Sequence, residues 1–210
     1  MTPEVSACAS WDALAEPWRV AIEAAWQSYR EGGIAVGAVL ADGAGTVVGE
    51  GRNQRFAGQV RGLLAHAEMG ALAALPVEKD RARDCVLYTT LSPCPMCFGA
   101  IVVAQVGQVH IGAMDPTWQG IERLPELADE VRRRWPRIQG PFTGPVGAWL
   151  AIAPALNTTG ALFRAVERSE PTHAALARAV HRRYQQRTVL RESAVQALED
   201  AWDLLVGASG

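Results

Sequence analysis

The sequence predicts a three-layer α/β/α sandwich with a mixed central sheet, followed by a C-terminal helical extension. An amphipathic helix precedes a hairpin pattern at residues 34–50, so the first two strands are expected to be antiparallel. Two further strand patterns, at 85–91 and 108–114, are joined by an apolar helical crossover, which makes them parallel and buried on both faces. Residues 147–206 show only a succession of short helical patterns.

The first helix and the hairpin have clear local signals. The stretch PWRVAIEAAWQSYREGG places apolar residues on one helical face and ends in the glycine pair Gly32-Gly33. In the hairpin, IAVGAVLA and VVGEG have extended character, and DGAGT supplies the turn residues. These signals predict a helix followed directly by two paired strands.

The later elements are less regular. The alanine-rich stretch LAHAEMGALAAL predicts a helix that ends at Pro76. The stretch GIERLPELADEVRRRW, residues 120–135, is interpreted as helical. The link PRIQGPFTGP is rich in helix breakers and leaves room for an edge strand.

Composition limits the classes of function. The chain has 210 residues, 49% hydrophobic and 20% charged, as expected for a core-forming protein of one domain, with or without an appendage. A net charge of −2 gives no general attraction for nucleic acid, and no apolar stretch reaches the roughly 18 residues of a membrane span. The N-terminus lacks the pattern of a secretory signal, so a cytoplasmic location is expected, where a Cys-x-x-Cys pair is typical of a metal or redox site.

The stretch SPCPMCFGAIVVA carries the strongest chemical signal. Cys94 and Cys97 lie in the first turn of a predicted helix and face the same side. His66 also opens a predicted helix, and two adjacent helices would bring the three side chains together as a His-Cys-Cys zinc site with a fourth position for water. Glu68 would then lie near the metal without binding it, where its carboxylate can move protons.

Simpler interpretations exist for each cysteine and histidine. A Cys-x-x-Cys pair alone is also typical of a redox pair or half of a structural zinc knuckle. His66 and Glu68 on a preceding helix favour the catalytic zinc site. The remaining histidines are expected in the core or on the surface, and the remaining cysteines are expected to be reduced thiols: His110, His173, His181, Cys8 and Cys85.

The pattern His-x-Glu followed by Pro-Cys-x-x-Cys resembles the cytidine/deoxycytidylate deaminase-like superfamily of zinc deaminases. Over residues 20–120 the chain is most similar to the branch of tRNA-adenosine, guanine and small nucleoside deaminases. The stretches VGAVLADGAGTVVGEGRNQR and LYTTLSPCPMCFGAIVVAQVGQVHIGAMD carry the rest of the resemblance. It implies a deaminase domain in residues 1–144. Residues 145–210 have no counterpart in the family, and their short helical stripes are expected to form an extension that packs on this core or across a dimer interface.

The resemblance also implies substrate contacts at Asn53, Ala67, Pro93 and Asp115. Asn53 is alternatively a turn asparagine, and Asp115 a helix cap or loop carboxylate. Trp118 either covers the pocket or simply packs.

The implied reaction is zinc-dependent hydrolytic deamination of an amino-substituted purine or pyrimidine, releasing ammonia. A free base or nucleoside is the favoured substrate, and a tRNA adenosine is the alternative. A zinc-stabilised binding protein without activity is a third hypothesis, which the intact Glu68 and ligands disfavour. A homodimer is expected from the resemblance.

Overall fold

The structure, a computed structural model, describes residues 6–56, 62–75, 79–157, 160–186 and 192–208. Within these ranges the strands are β1 (Gly37–Ala41), β2 (Val47–Arg52), β3 (Val86–Thr89), β4 (Gln108–Ile111) and β5 (Arg137–Gln139). The helices are α1 (Ala7–Asp12), α2 (Glu16–Arg30), α3 (Ala67–Leu72), α4 (Lys79–Asp84), α5 (Pro95–Ala104), α6 (Asp129–Arg134), α7 (Gly144–Ile152), α8 (Ala161–Ser169), α9 (Pro171–Gln186) and α10 (Ala194–Ala208).

The five strands form one mixed sheet in the order β2-β1-β3-β4-β5. Strand β1 is antiparallel to both β2 and β3, whereas β3, β4 and β5 run parallel. The predicted mixed sheet is therefore confirmed. Strand β5 lies at the edge and comes from the breaker-rich link, where the sequence leaves room for such a strand.

Two glycines show that helices cover both faces of the sheet. A Cβ atom on Gly37 would lie 2.0 Å from the carbonyl oxygen of Ala21, and one on Gly51 would lie 2.0 Å from that of Ala67. Gly37 is paired with Arg52, so its neighbour Gly51 faces the opposite side of the sheet. Helices α2 and α3 therefore pack directly on opposite faces, which gives the predicted three layers.

The helix that carries both site cysteines is fixed at its two ends. Cys94 caps α5 with an extended backbone, and Pro95 occupies the first turn, where its missing N–H removes no hydrogen bond. At the other end Gln105 adopts a left-handed conformation with φ 61°. The Arg83 side chain donates from Nε to Oε1 of Gln105 at 3.2 Å, which ties this end to α4.

Residues 120–135 do not form the continuous helix that the sequence predicts. A 3-10 helix covers Ile121–Glu126, and α6 follows only at Asp129–Arg134. Pro125 lies inside the first segment and has no backbone N–H to donate. The proline therefore explains why the helical pattern is interrupted here.

Helices α7 to α10 of the extension share one apolar core with the sheet and its helices. Trp149 of α7 and Leu205 of α10 are buried in the same cluster as Trp26 of α2. Polar contacts join the two parts as well: Asn157 Nδ2 donates to the Gly33 carbonyl at 2.6 Å. None of the helices in the described ranges combines the length and hydropathy needed to cross a bilayer.

Candidate metal centre

The site lies where the loops after two parallel strands meet. Ser92 follows β3, and Asp115 follows β4. The backbone N–H of Asp115 donates to Ser92 Oγ at 2.8 Å, and the N–H of Ser92 donates to the Ala113 carbonyl at 2.8 Å. These bonds tie the two loops together at the carboxyl ends of the strands, where α/β sheets commonly bind ligands.

Three potential metal ligands converge beside these loops. His66 caps α3 and Cys94 caps α5, while Cys97 lies in the first turn of α5. The Cys94 and Cys97 Sγ atoms are 3.7 Å apart, and each lies 3.7 Å from His66 Nδ1. The structure therefore brings together the three residues that the sequence predicts as ligands.

The spacing of the donor atoms fits zinc. A tetrahedral ion with Zn–S of about 2.3 Å and Zn–N of about 2.0–2.1 Å places its donor atoms roughly 3.6–3.8 Å apart. The three observed distances of 3.7 Å agree with this geometry. Two thiolates and one imidazole are also a donor set that zinc prefers, and three protein ligands are typical of catalytic zinc sites.

The pKa values of the three groups shift in different directions. A hydrogen bond from Cys97 lowers the pKa of Cys94 to about 4, with a further contribution from His66. The same hydrogen bond and burial raise the pKa of Cys97. A hydrogen bond to Cys94 raises the pKa of His66. Cys94 is thus a thiolate at neutral pH, and the thiolate is the form of cysteine that binds a metal ion.

Glu68 lies in the first turn of α3, two residues after His66, and is only 3% exposed. Burial raises the pKa of its carboxyl group to about 7. A carboxyl group with such a pKa exchanges protons readily near neutral pH, as general acid–base chemistry requires.

A cavity of about 260 Å³ opens in front of these groups. Five of the predicted site residues line it: Asn53, His66, Glu68, Cys94 and Asp115. Cys97 is buried and is not among the described residues that line the cavity. Ala67 and Pro93 are also buried, and neither is among the described residues that line the cavity. Trp118 lines the cavity while 43% exposed, so it contributes to the pocket wall.

Asn53 and Asp115 also make the hydrogen bonds expected of a turn asparagine and of a helix-capping carboxylate. Asn53 Oδ1 accepts a hydrogen bond from the backbone N–H of Arg55 at 3.1 Å, as in a turn. The Asp115 carboxylate accepts from the N–H of Thr117 at 2.8 Å and caps the 3-10 helix Pro116–Trp118. Both side chains therefore shape their loops and line the cavity.

The other described residues that line the pocket were not singled out from the sequence: Ile34, Val36, Arg55, Leu91, Ser92, Thr117, Leu162 and Ala165. Arg55 comes two residues after Asn53 in the same loop, and this closeness in the sequence could have indicated that Arg55 also lies at the pocket. Leu162 and Ala165 belong to α8 in the extension and have no local signal, because only tertiary packing brings α8 to the cavity.

The mixed sheet and the His-Cys-Cys set beside a buried carboxyl group define a metal-binding α/β protein with the features of a hydrolytic site. Residues 13–113 match the family described as the cytidine and deoxycytidylate deaminase zinc-binding region. The tRNA-specific adenosine deaminase of Bacillus subtilis (strain 168) is 38% identical over 114 residues, which cover 53% of this chain and 69% of that protein.

Two further proteins are similar to part of the chain. The cytosine deaminase of Candida albicans is 41% identical over 95 residues, which are 45% of this chain. The chain spans 62% of the length of that protein. A solved guanine deaminase from Bacillus subtilis is 30% identical and covers 49% of this chain and 66% of its own, with a TM-score of 0.41.

The chain belongs to the cytidine and deoxycytidylate deaminase family of zinc-binding proteins. The resemblance seen in the sequence is thereby confirmed, and zinc is the cofactor of this domain.

Proposed function

We propose that this protein catalyses the hydrolytic deamination of a free or nucleoside-linked purine or pyrimidine base, with release of ammonia. One observation supports this proposal most strongly: the buried Glu68 carboxyl group and the three zinc-spaced donor atoms lie at one small cavity. The cavity is smaller than the roughly 300–1,000 Å³ of pockets that hold drug-sized ligands, so it suits a single heterocycle.

Each residue of the site has a separate role in the proposed reaction. His66, Cys94 and Cys97 hold zinc, which when bound lowers the pKa of a water molecule and so supplies the nucleophile. A Glu68 carboxylate oxygen accepts a proton from the attacking water and delivers it to a ring nitrogen, which makes the amino-bearing carbon electrophilic. The same carboxylate then accepts the second proton, from the hydroxyl group added to that carbon, and delivers it to the departing amine, which leaves a carbonyl group and ammonia. Asn53 and Asp115 orient the base, and Trp118 helps to exclude water.

A tRNA adenosine is the second candidate substrate, because several relatives are tRNA-specific adenosine deaminases. The charges on α6 argue against it. Arg132 pairs with Asp129 at 2.7 Å, while Arg133 and Arg134 both pair with Glu130. Three of the four arginines in the basic run VRRRWPR are therefore paired with carboxylates of their own helix, and phosphate binding needs cations that are free to replace counterions.

A homodimer is part of the proposal. Leu63 is 70% exposed, and the neighbouring Leu64 and the α5 residue Val103 are exposed to a similar degree. Leu63 and Leu64 line a groove with Met69 of α3. Exposed apolar side chains beside a groove are typical of contact surfaces between proteins.

The test is an ammonia-release screen with the zinc-loaded full-length chain. Adenine, guanine, cytosine and their nucleosides are supplied separately, and a tRNA transcript is assayed in parallel. Release from at least one base or nucleoside, and none from tRNA, is the expected result. Release from tRNA alone would favour the second candidate, and no release from any compound would refute deamination of these substrates.

A further inference from the structure

A second cavity, of about 540 Å³, adjoins the zinc pocket. The two cavities share three residues in their walls, Ile34, Arg55 and Leu162, which form the partition between them. We call the second cavity the outer chamber and define it by these three residues together with Asn157, Phe163 and His181. A substituent on a base held at the zinc site would pass this partition to reach the outer chamber.

Two residues of the outer chamber each carry a polar atom with no hydrogen-bond partner among the described residues. Arg55 Nε and His181 Nδ1 are both buried, and neither has a hydrogen-bond partner in the described part of the chain. Buried polar groups are nearly always hydrogen-bonded, so each exception requires an explanation. Both residues line the same chamber, and a ligand with oxygen atoms would satisfy both of them.

The extension builds one side of this chamber. Asn157, Phe163 and His181 all lie beyond residues 13–113, which carry the match to the deaminase family. Asn157 holds this side against the core through its 2.6 Å hydrogen bond to the Gly33 carbonyl. Phe163 is buried, with the Arg178 guanidinium 4.8 Å from its ring centroid, so this wall is packed from behind. The chamber is therefore a feature of this chain's extension.

From this geometry we propose that the outer chamber binds an oxygen-bearing substituent on the substrate base, so that the substrate is a nucleoside or its monophosphate instead of a free base. The base occupies the zinc pocket, and the sugar extends past Ile34 and Leu162. Arg55 Nε donates to a sugar or phosphate oxygen, and His181 Nδ1 exchanges a hydrogen bond with a hydroxyl group. This inference rests on the proposed deaminase function and names the substrate class of the same site.

The test compares matched sets of substrates with the zinc-loaded full-length chain. The sets are cytosine, cytidine and CMP, then adenine, adenosine and AMP, then guanine, guanosine and GMP. For whichever base is deaminated, kcat/KM for the nucleoside or monophosphate is expected to exceed that for the free base by at least about 10-fold. A preference for the monophosphate over the nucleoside identifies a phosphate as the partner of Arg55, and the opposite preference identifies the sugar.

Variants of His181 test the assignment of the chamber. His181→Ala should lower the ratio of nucleoside to base kcat/KM by about 3- to 10-fold, the usual range for one lost hydrogen bond. His181→Gln keeps a polar side chain of similar length and should restore part of the ratio. His173→Ala and Arg182→Ala remove the same residue types from α9 outside the chamber, and these controls should keep the wild-type ratio.

A free base preferred over its nucleoside would overturn the inference, as would His181→Ala giving the same ratio as His173→Ala. If no compound releases ammonia, the proposed function fails, and the inference is judged by calorimetric binding to the zinc-loaded chain. Tighter binding of nucleosides than of bases, weakened by His181→Ala, would support the outer chamber without the activity. Equal binding, or no nucleoside binding, would refute it.

Discussion

The indole Nε1 of Trp149 donates a hydrogen bond to the Tyr184 hydroxyl group at 3.1 Å, deep in the protein interior. The same hydroxyl donates to the Ala197 carbonyl oxygen at 2.7 Å. One buried side chain of α9 thus connects α7 with α10. The ring of Trp26 on α2 packs against Trp149 and Tyr184, with centroid distances of 6.1 and 5.6 Å. This polar and aromatic cluster is the junction between the extension and the family-matched core.

Tyr184→Phe should lower the free energy of unfolding by about 1–3 kcal/mol, because it leaves the buried Trp149 indole N–H without this acceptor. Chemical denaturation monitored by tryptophan fluorescence measures the change. Tyr88→Phe is the matched control, since burial is the only influence found on the Tyr88 hydroxyl and no hydrogen bond to it is seen among the described residues. A Tyr184→Phe protein as stable as the control would show that this hydrogen bond contributes nothing.

Removal of residues 145–210 should make the remaining chain aggregate or melt at a clearly lower temperature. The deletion exposes Trp26, whose buried ring packs against Trp149 and Tyr184. Thermal unfolding and solubility of the truncated chain are compared with those of a chain lacking only residues 207–210. If the long truncation is soluble, equally stable and unchanged in substrate preference, the extension is a dispensable appendage.

Purified protein should contain one zinc ion per chain, held by His66, Cys94 and Cys97. Cys94→Ser or His66→Ala should remove most of the metal, because each takes away one of three ligands. Elemental analysis of protein purified without chelators gives the stoichiometry. Cys8→Ser and Cys85→Ser serve as controls and should retain full zinc. Metal-free wild-type protein would contradict the assignment.

Glu68→Gln should keep the fold and the zinc but reduce turnover by about 10²- to 10⁴-fold, the usual contribution of a positioned acid–base group. The amide matches the carboxylate in size but cannot carry the proton. Turnover on whichever substrate emerges from the ammonia screen is the measurement, with zinc content determined on the same sample. Glu50→Gln, an exposed change on β2, is the control. Near-normal turnover in Glu68→Gln would assign the proton transfers to another group.

The protein should be a dimer at micromolar concentration, because burial of the exposed Leu63 and Leu64 side chains favours association. Light scattering after size-exclusion chromatography measures the mass. Replacing both leucines with serine should shift the mass toward the monomer, whereas the same change at the exposed Leu127 should not. A monomeric wild-type protein would disprove this prediction.

The sequence by itself determined the elements that depend on short-range physics. Local patterns of apolar and turn residues predict the hairpin, the crossover helix and the three-layer α/β/α sandwich. The three metal ligands could also be predicted from the sequence, because Cys94 and Cys97 share one helical turn and His66 begins another helix. The interruption at residues 120–135 was missed, although Pro125 was visible, because the apolar spacing around it is helical.

Only the tertiary structure decided what surrounds the zinc pocket. Three residues of the extension line the two cavities, although they are far along the chain from Glu68: Leu162, Ala165 and His181. No local sequence pattern indicates that α8 packs beside the zinc pocket. Arg55 follows Asn53 in a polar loop, yet its place at the partition depends on how that loop folds against Leu162. Local propensity determines which helices and strands form. The shape of a cavity depends on how distant elements fill space together, and that is settled only when the chain is packed.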